Sequence, residues 1–332
     1  MTDRAIPKLL AALGLFVLLG GNARAACEKM DTVTTAWLPI MQTTAYYAAL
    51  EDKLFEAACI TIVSNRMESP NQIIDALVAG RADFGPPGAA AGIAALAEAK
   101  FPGTFKVFGL QGGGVKSGFI NDGLIVKPDS TIASFADLKG KTLGHVPGIQ
   151  WRTISRAMIR AAGLDPDKDV HLVELAVPLQ VQAVASGTVD AVLALEPVGS
   201  IAVASGAAKR AMTNPVSQVI ADPFYSGAAV MTTQFLKERP DVARRVVEVI
   251  DAATKNVNAN FDKYRAILPK YTPIRPEQVG TVAQPLLRGF TDLNDEDIHS
   301  YQALIDVFSK EGVLTQKVSA REMILPAGAL QK

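Results

Sequence analysis

The 332-residue chain balances 33 Lys plus Arg against 33 Asp plus Glu, which argues against the basic face that nucleic acid or an anionic membrane would need. Its length accommodates two domains with full cores. Hydrophobic residues make up 49% but aromatics only 6%, a composition suited to close packing of helices on sheets.

The chain opens with Arg4 and Lys8, an apolar stretch from Leu9 to Gly20, and Ala23-Arg24-Ala25. These are the basic, apolar and small-x-small regions expected of a secretory signal peptide, 1–25, with cleavage after Ala25. About a dozen apolar residues fall short of the ~20 that cross a bilayer, so no permanent anchor is expected. Lipidation at Cys27 is disfavoured because Arg24 stands three positions before it, where an aliphatic residue is wanted. In an exported chain the two cysteines, Cys27 and Cys59, are a disulfide candidate. Cys27 just precedes the first predicted strand and Cys59 opens the second. Parallel pairing would bring both to one sheet edge, with strands ~5 Å apart.

From Val33 the pattern reads strand 33–37, helix 43–54, strand 59–64, helix 69–79, strand 82–85, helix 88–99 and strand 105–111. Strands alternating with helices of this length specify right-handed βαβ units and a parallel sheet. An extended run follows and ends at Lys127-Pro128, where proline disfavours helix before it. The alternation then restarts: helix 134–138, strand 141–146, helix 150–162, strand 170–175, helix 178–186, strand 190–195, helix 197–205 and strand 208–212. After a second extended run, 225–232, helices dominate. Helix 240–264 opens on Pro240 and carries Val242, Val246, Ile250, Val257 and Phe261 on one stripe. With few strands after 233, the tail is expected to cover the first lobe without a sheet of its own. Glu311, near its end, is expected to be remote from any site.

One short unit occurs twice: ALVAGRAD at Ala76–Asp83 and AVASGTVD at Ala183–Asp190. Each ends a helix at a glycine able to adopt the left-handed conformation, then starts a buried strand after an Asp. Two repeats are too few for a solenoid. Two lobes built alike instead predict a ligand cleft between them. Extended crossings near 124–128 and 225–231 would join the lobes as a hinge.

The chain also resembles a known family. TTAYYAALEDKLFEAACITI (43–62), LKGKTLGHVPG (138–148), AGLDPDKDVHLVEL (162–175), ASGTVDAVLALEP (185–197) and FLKERPDVARRVV (235–247) resemble, in order, segments of periplasmic solute-binding proteins of nitrate, sulfonate and taurine ABC transporters and their thiamine-pyrimidine-binding relatives. The likeness spans about 30–325. Lys53 stands where that family usually has Gly, and Ala58-Cys59 replaces Gly-Leu, departures that fall at a turn and not at the cleft. The resemblance implies an α/β, two-lobed periplasmic binding protein fold of type II, with the periplasm as the destination of the exported chain. Each lobe would be a mixed, mostly parallel sheet flanked by helices, joined by two crossover strands. The implied bounds are 26–125 with 228–332 for the first lobe and 126–227 for the second.

Ligands of open α/β sheets sit outside the carboxyl ends of the strands, near helix N-termini. That rule selects Trp37, Gln42 and Thr44 after the first strand, and Pro87 and Gly88 at a helix opening after the third. It also selects Gln111 before three glycines, Gly148, Gln150 and Trp151 after the first strand of the second lobe, Glu196, and Tyr225 with Ser226 on the return crossing. Trp37 and Trp151 would stack on a ligand or sit in a core. Glu196 would hold an amine-bearing ligand or bridge to Arg152. His145, His171 and His299 do not cluster, no metal-ligand spacing occurs, and no GxSxG elbow or catalytic cysteine context is present. No cofactor or metal is expected. The expectation is a monomeric, non-enzymatic binding component that closes on a small solute and delivers it to an inner-membrane ABC permease with its cytoplasmic ATPase. The alternative is an enzyme of the same fold, exported or cytosolic, acting on a thiamine-pyrimidine or menaquinone precursor.

Overall fold

The computed structural model describes residues 27–330; the expected signal peptide lies outside them. The first half alternates β1 (Asp31–Trp37), α1 (Thr44–Glu51), β2 (Ile60–Arg66), α2 (Pro70–Val78), β3 (Phe84–Ala90), α3 (Ala91–Lys100) and β4 (Phe105–Gly113). A second run follows: β5 (Asp122–Val126), β6 (Lys141–His145), α4 (Ile149–Ala161), β7 (Val170–Glu174), α5 (Gln180–Ser186), β8 (Ala191–Leu195), α6 (Val198–Ala204) and β9 (Lys209–Thr213). The chain returns through β10 (Phe224–Thr232), α7 (Pro240–Ala259), β11 (Leu286–Arg288) and α8 (Asp295–Lys310).

Two sheets result, ordered β11-β4-β10-β3-β1-β2 and β7-β6-β8-β5-β9. In the first, β1 runs parallel to β2 and β3, while β10 lies antiparallel between β3 and β4. In the second, β6 runs parallel to β7 and β8, and β5 lies antiparallel between β8 and β9. Each sheet therefore receives one reversed strand directly after the chain has crossed from the other sheet. Helices cover both faces of the first sheet. Val33 and Trp37 point into a core with α1 and α7, whereas Ala36 on the opposite face joins a cluster that runs unbroken into the second lobe through Trp151, Ile154 and Leu193.

Three expectations change. The runs 124–128 and 225–231 are not the crossings: β5 and most of β10 occupy them, and the chain passes between sheets at 114–121 and 214–223. The lobe bounds shift accordingly, because an extended strand and an extended connection share one local pattern. The tail does contribute to a sheet, adding β11 antiparallel at the edge beside β4. Pro86, Pro87 and Gly88 do not open a helix; they lie buried within β3, which continues to Ala90. Gly88, at φ 121°, permits the close approach of Thr43, whose Oγ1 would lie 2.4 Å from a Cβ there.

The repeated unit has one job in both lobes. Gly80 (φ 65°) and Gly187 (φ 79°) turn the chain out of α2 and α5. Asp83 then donates its N–H to Thr34 O (2.8 Å) and accepts Thr34 N–H at Oδ2 (2.8 Å). Asp190 repeats this on Thr142 (3.0 and 2.8 Å). Each carboxylate replaces a ladder rung just before a strand begins, satisfying a backbone donor that burial would otherwise strand. Asp83→Ala and Asp190→Ala are each expected to destabilise the protein by about 1–3 kcal/mol, additively within about 0.5 kcal/mol because they lie in separate lobes. Denaturant unfolding of both single variants and the double variant checks this.

Cys27 and Cys59 form a disulfide with Cα atoms 5.6 Å apart. It ties the segment before β1 to the entry of β2, where Cys59 itself adopts φ 59°. Closing a 32-residue separation corresponds to about 3–4 kcal/mol in the chain-entropy account. Non-reduced mass spectrometry should show the linked peptides, and Cys27→Ser with Cys59→Ser should lower stability by that amount; two free thiols in protein purified under non-reducing conditions would contradict the assignment.

Candidate functional site

The carboxyl ends of β1 and β3 face those of β6 and β8 across the two crossings, and polar side chains join the lobes there. Gln42, buried just before α1, donates from Nε2 to Glu196 O beyond β8 (2.9 Å). Gln150, in the first turn of α4, donates from Nε2 to Ser226 O (2.8 Å), and its Oε1 accepts Gly92 N–H (2.7 Å). Gly92 is glycine for a packing reason: a Cβ would stand 2.5 Å from Phe308 and 2.9 Å from Gln150 Oε1. There α3, α4 and α8 meet.

The crossings themselves are cross-linked. Asn214 accepts Asn121 N–H (2.8 Å) and donates to Phe119 O (2.8 Å), while Asp222 accepts the Val115 and Lys116 N–H groups (2.9 and 3.1 Å). Ser226 donates its hydroxyl to Asn121 Oδ1 (3.0 Å). Beside Ser226 lies Gln111, buried in β4 with its amide folded over Gly227, where a Cβ would sit 1.7 Å from Nε2. Among the described residues, the buried side-chain polar atoms without a hydrogen-bond partner are Gln111 Oε1, Ser155 Oγ, Gln180 Oε1 and Arg210 Nη1. Gln111 lies beside Ser226, and Arg210 is paired with Glu196, whose carbonyl accepts Gln42.

Other expected site residues are engaged elsewhere. Trp37 packs edge-on to Tyr47 (5.5 Å between centroids) and donates its indole N–H to Ser64 Oγ (2.7 Å); it is a first-lobe core residue rather than a stacking platform. Trp151 is buried in the cluster shared by the lobes. Thr44 turns its hydroxyl back onto Met41 O. Tyr225 is fully buried and bonds to Asp297 (2.5 Å), and burial together with that carboxylate pushes its hydroxyl pKa up. Pro87 and Gly88 lie inside β3, and Gly148, at φ 103°, caps α4 at the surface. Glu196 does not reach Arg152, which pairs with Glu174 (2.9 Å); its partner is Arg210 of β9 (2.6 Å), and its Oε2 accepts Ser200 N–H. The Arg210 guanidinium lies 2.5 Å from where a Cβ on Gly123 would project and 3.0 Å from one on Gly199. His145 is held below the usual histidine range by burial and is neutral at pH 7. Among the described residues no group of His, Cys, Asp or Glu is placed to hold a metal.

Asp122 carries the sharpest electrostatic anomaly of this region. It is fully buried at the start of β5, and desolvation, aided by the Glu196 charge, pushes its pKa to about 6 against opposing hydrogen bonds from Asn121 and Val216 N–H. The folded state thus keeps this proton to higher pH than the unfolded chain does. Stability contributed by the protonated form is full below about pH 4 and is lost as pH rises through about 6. Against Asp122→Asn, the wild type should lose about 3 kcal/mol of unfolding free energy between about pH 4 and 7. A constant difference across that window would show an ordinary carboxylate.

Paired sheets, each with its reversed strand after a crossing and with carboxyl ends opposed, leave one architecture. The chain has the periplasmic binding protein fold. The binding-protein fold is matched over 89% of this chain and 92% of the aliphatic sulphonate binding protein SsuA from Escherichia coli, with TM-score 0.72 and 17% identity. The alkanesulfonate-binding SsuA from Xanthomonas axonopodis pv. citri, bound to MOPS, matches with TM-score 0.69 and 17% identity over 90% of this chain and 99% of that one. The same fold occurs in the desulfurization enzyme DSZB, at TM-score 0.67 and 16% identity over 90% and 97%. Residues 115–263 match the family model described as NMT1/THI5 like, in agreement with the resemblance carried by the sequence motifs. No curated protein matches the chain. No helix of the described residues is long and apolar enough to cross a membrane.

Proposed function

We propose that the protein is the periplasmic solute-binding component of an ABC importer, taking a small solute between its lobes and passing it to a membrane permease with its ATPase. The observation that carries this reading is the polar seam, in which Gln42 and Gln150 connect the lobes while Gln111 keeps an unsatisfied buried oxygen beside them. The unsatisfied amide oxygen there is a ready acceptor for a head group that carries an N–H or O–H donor, and its burial makes an unmatched ligand costly. Arg152 and Arg210 are already paired with Glu174 and Glu196, although Arg210 keeps Nη1 without a partner, so an anionic head group would meet amides and the first-turn N–H groups of α4 rather than an unpaired guanidinium. The sulfonates that the SsuA proteins bind direct attention to that class of solute. Export with cleavage after Ala25 belongs to the same reading.

A thermal-shift screen over aliphatic sulfonates, nitrate, aromatic carboxylates and aminopyrimidines tests it. A ligand at about 100 times its Kd should add about 2.7 kcal/mol of stability, and Gln111→Ala should weaken its binding by about 1–3 kcal/mol. Stabilisation by none of these classes would remove the solute-binding reading. The likeness to DSZB supports a second reading, an enzyme on this scaffold, and chromatographic conversion of a screened compound by the purified protein would favour it.

A further inference from the structure

Glu311 ends α8 in the first lobe, and its side chain is only 4% exposed. Both of its ion-pair partners come from α4 in the second lobe: Arg156 Nε lies 3.2 Å from Oε2 and Arg160 Nε 3.0 Å from Oε1. Arg156 is fixed from its own side, because its two terminal nitrogens fork onto Asp167 (2.6 and 2.8 Å) before β7. One carboxylate thus receives two guanidiniums, and Asp167 pairs with both, closely with Arg156 and at 4.0 Å with Arg160. No local pattern announces this contact, since Glu311 and Arg156 are 155 residues apart.

The cluster borders a groove of about 340 Å³ lined by Ala157, Arg160, Val219, Ile220 and Ala303, among others. Val219 and Ile220 belong to the second crossing, so this contact lies against the hinge and not among the Gln42, Gln111 and Gln150 groups. Rotation of one lobe about the crossings carries α4 past α8. A rotation that draws α4 away from α8 would break the Glu311 pairs, because the acceptor belongs to one lobe and both donors to the other.

We propose that Glu311, Arg156 and Arg160 form a hinge-side clasp that holds the lobes in the docked arrangement seen here and sets how readily they separate. The clasp acts whether or not the cleft takes a solute. Its charges are partly exposed on the arginine side, at 26% and 50%, so mobile ions weaken it.

The test is small-angle scattering of the ligand-free, full-length exported protein, fitted as a mixture of docked and separated lobes. Raising NaCl from about 20 to about 500 mM, which shortens the screening length from roughly 20 to roughly 4 Å, should shift the wild type toward separation. Glu311→Gln should raise the ratio of separated to docked protein about fivefold at low salt and abolish most of the salt response. The exchange Glu311→Arg with Arg160→Glu should restore part of the docked population. Scattering of folded Glu311→Gln identical to wild type at low salt overturns the clasp. If that variant does not fold, the wild-type salt series decides: a profile unchanged by salt overturns it as well.

Discussion

Gln150 sits buried in a helix of the second lobe, yet both ends of its amide are satisfied by the first, through Gly92 N–H and Ser226 O. A buried amide without partners is costly, so this residue makes the packing of the lobes a condition for satisfying the seam. Around it, Gly92 has no side chain to block Phe308, and the shared apolar cluster continues on either side. The polar and apolar parts of the interface therefore enforce the same relative placement.

Much of the fold is legible in the sequence because it is written locally. Alternating strands and helices, glycines at helix ends, and the twice-used Asp each report on a few neighbouring residues, and each is found in its expected element. The cysteine pair is legible for the same reason: both positions flank strands that a βαβ unit must place side by side. The crossings are misplaced by several residues because extended backbone looks alike whether it pairs or connects. Only the ladder β5 forms with β8 and β9 distinguishes the two.

The site is less legible, and the reason is directional. Gln150 and Trp151 are adjacent in α4, but about 100° of helical rotation separates them, so one reaches the other lobe and its neighbour enters a core. Trp37 ends a strand as a ligand-stacking residue would, yet strand alternation sends it to the face of Val33, where Tyr46, Tyr47 and Phe55 gather. Glu196 is assigned to a ligand or to Arg152 from sequence because its actual cation, Arg210, lies in β9, two strands away, with β5 between. Asn121 and Asn214 carry no motif at all, and their importance arises only when the crossings lie side by side.

The reversed strand of the first sheet has a consequence for synthesis. All strands of the second sheet lie within 122–213, one continuous stretch, whereas β10 arrives only afterwards and the edge is finished later still, by β11 and by Leu325 N–H on Val107 O. A chain emerging amino end first can therefore complete the second lobe while β3 and β4 still lack the strand that separates them. During that interval two buried-type edges, the alanine- and glycine-rich end of β3 and the run Phe105–Gly113, present open ladders to any other chain. A late-arriving central strand makes the half-finished first lobe the form of this protein most in need of a chaperone.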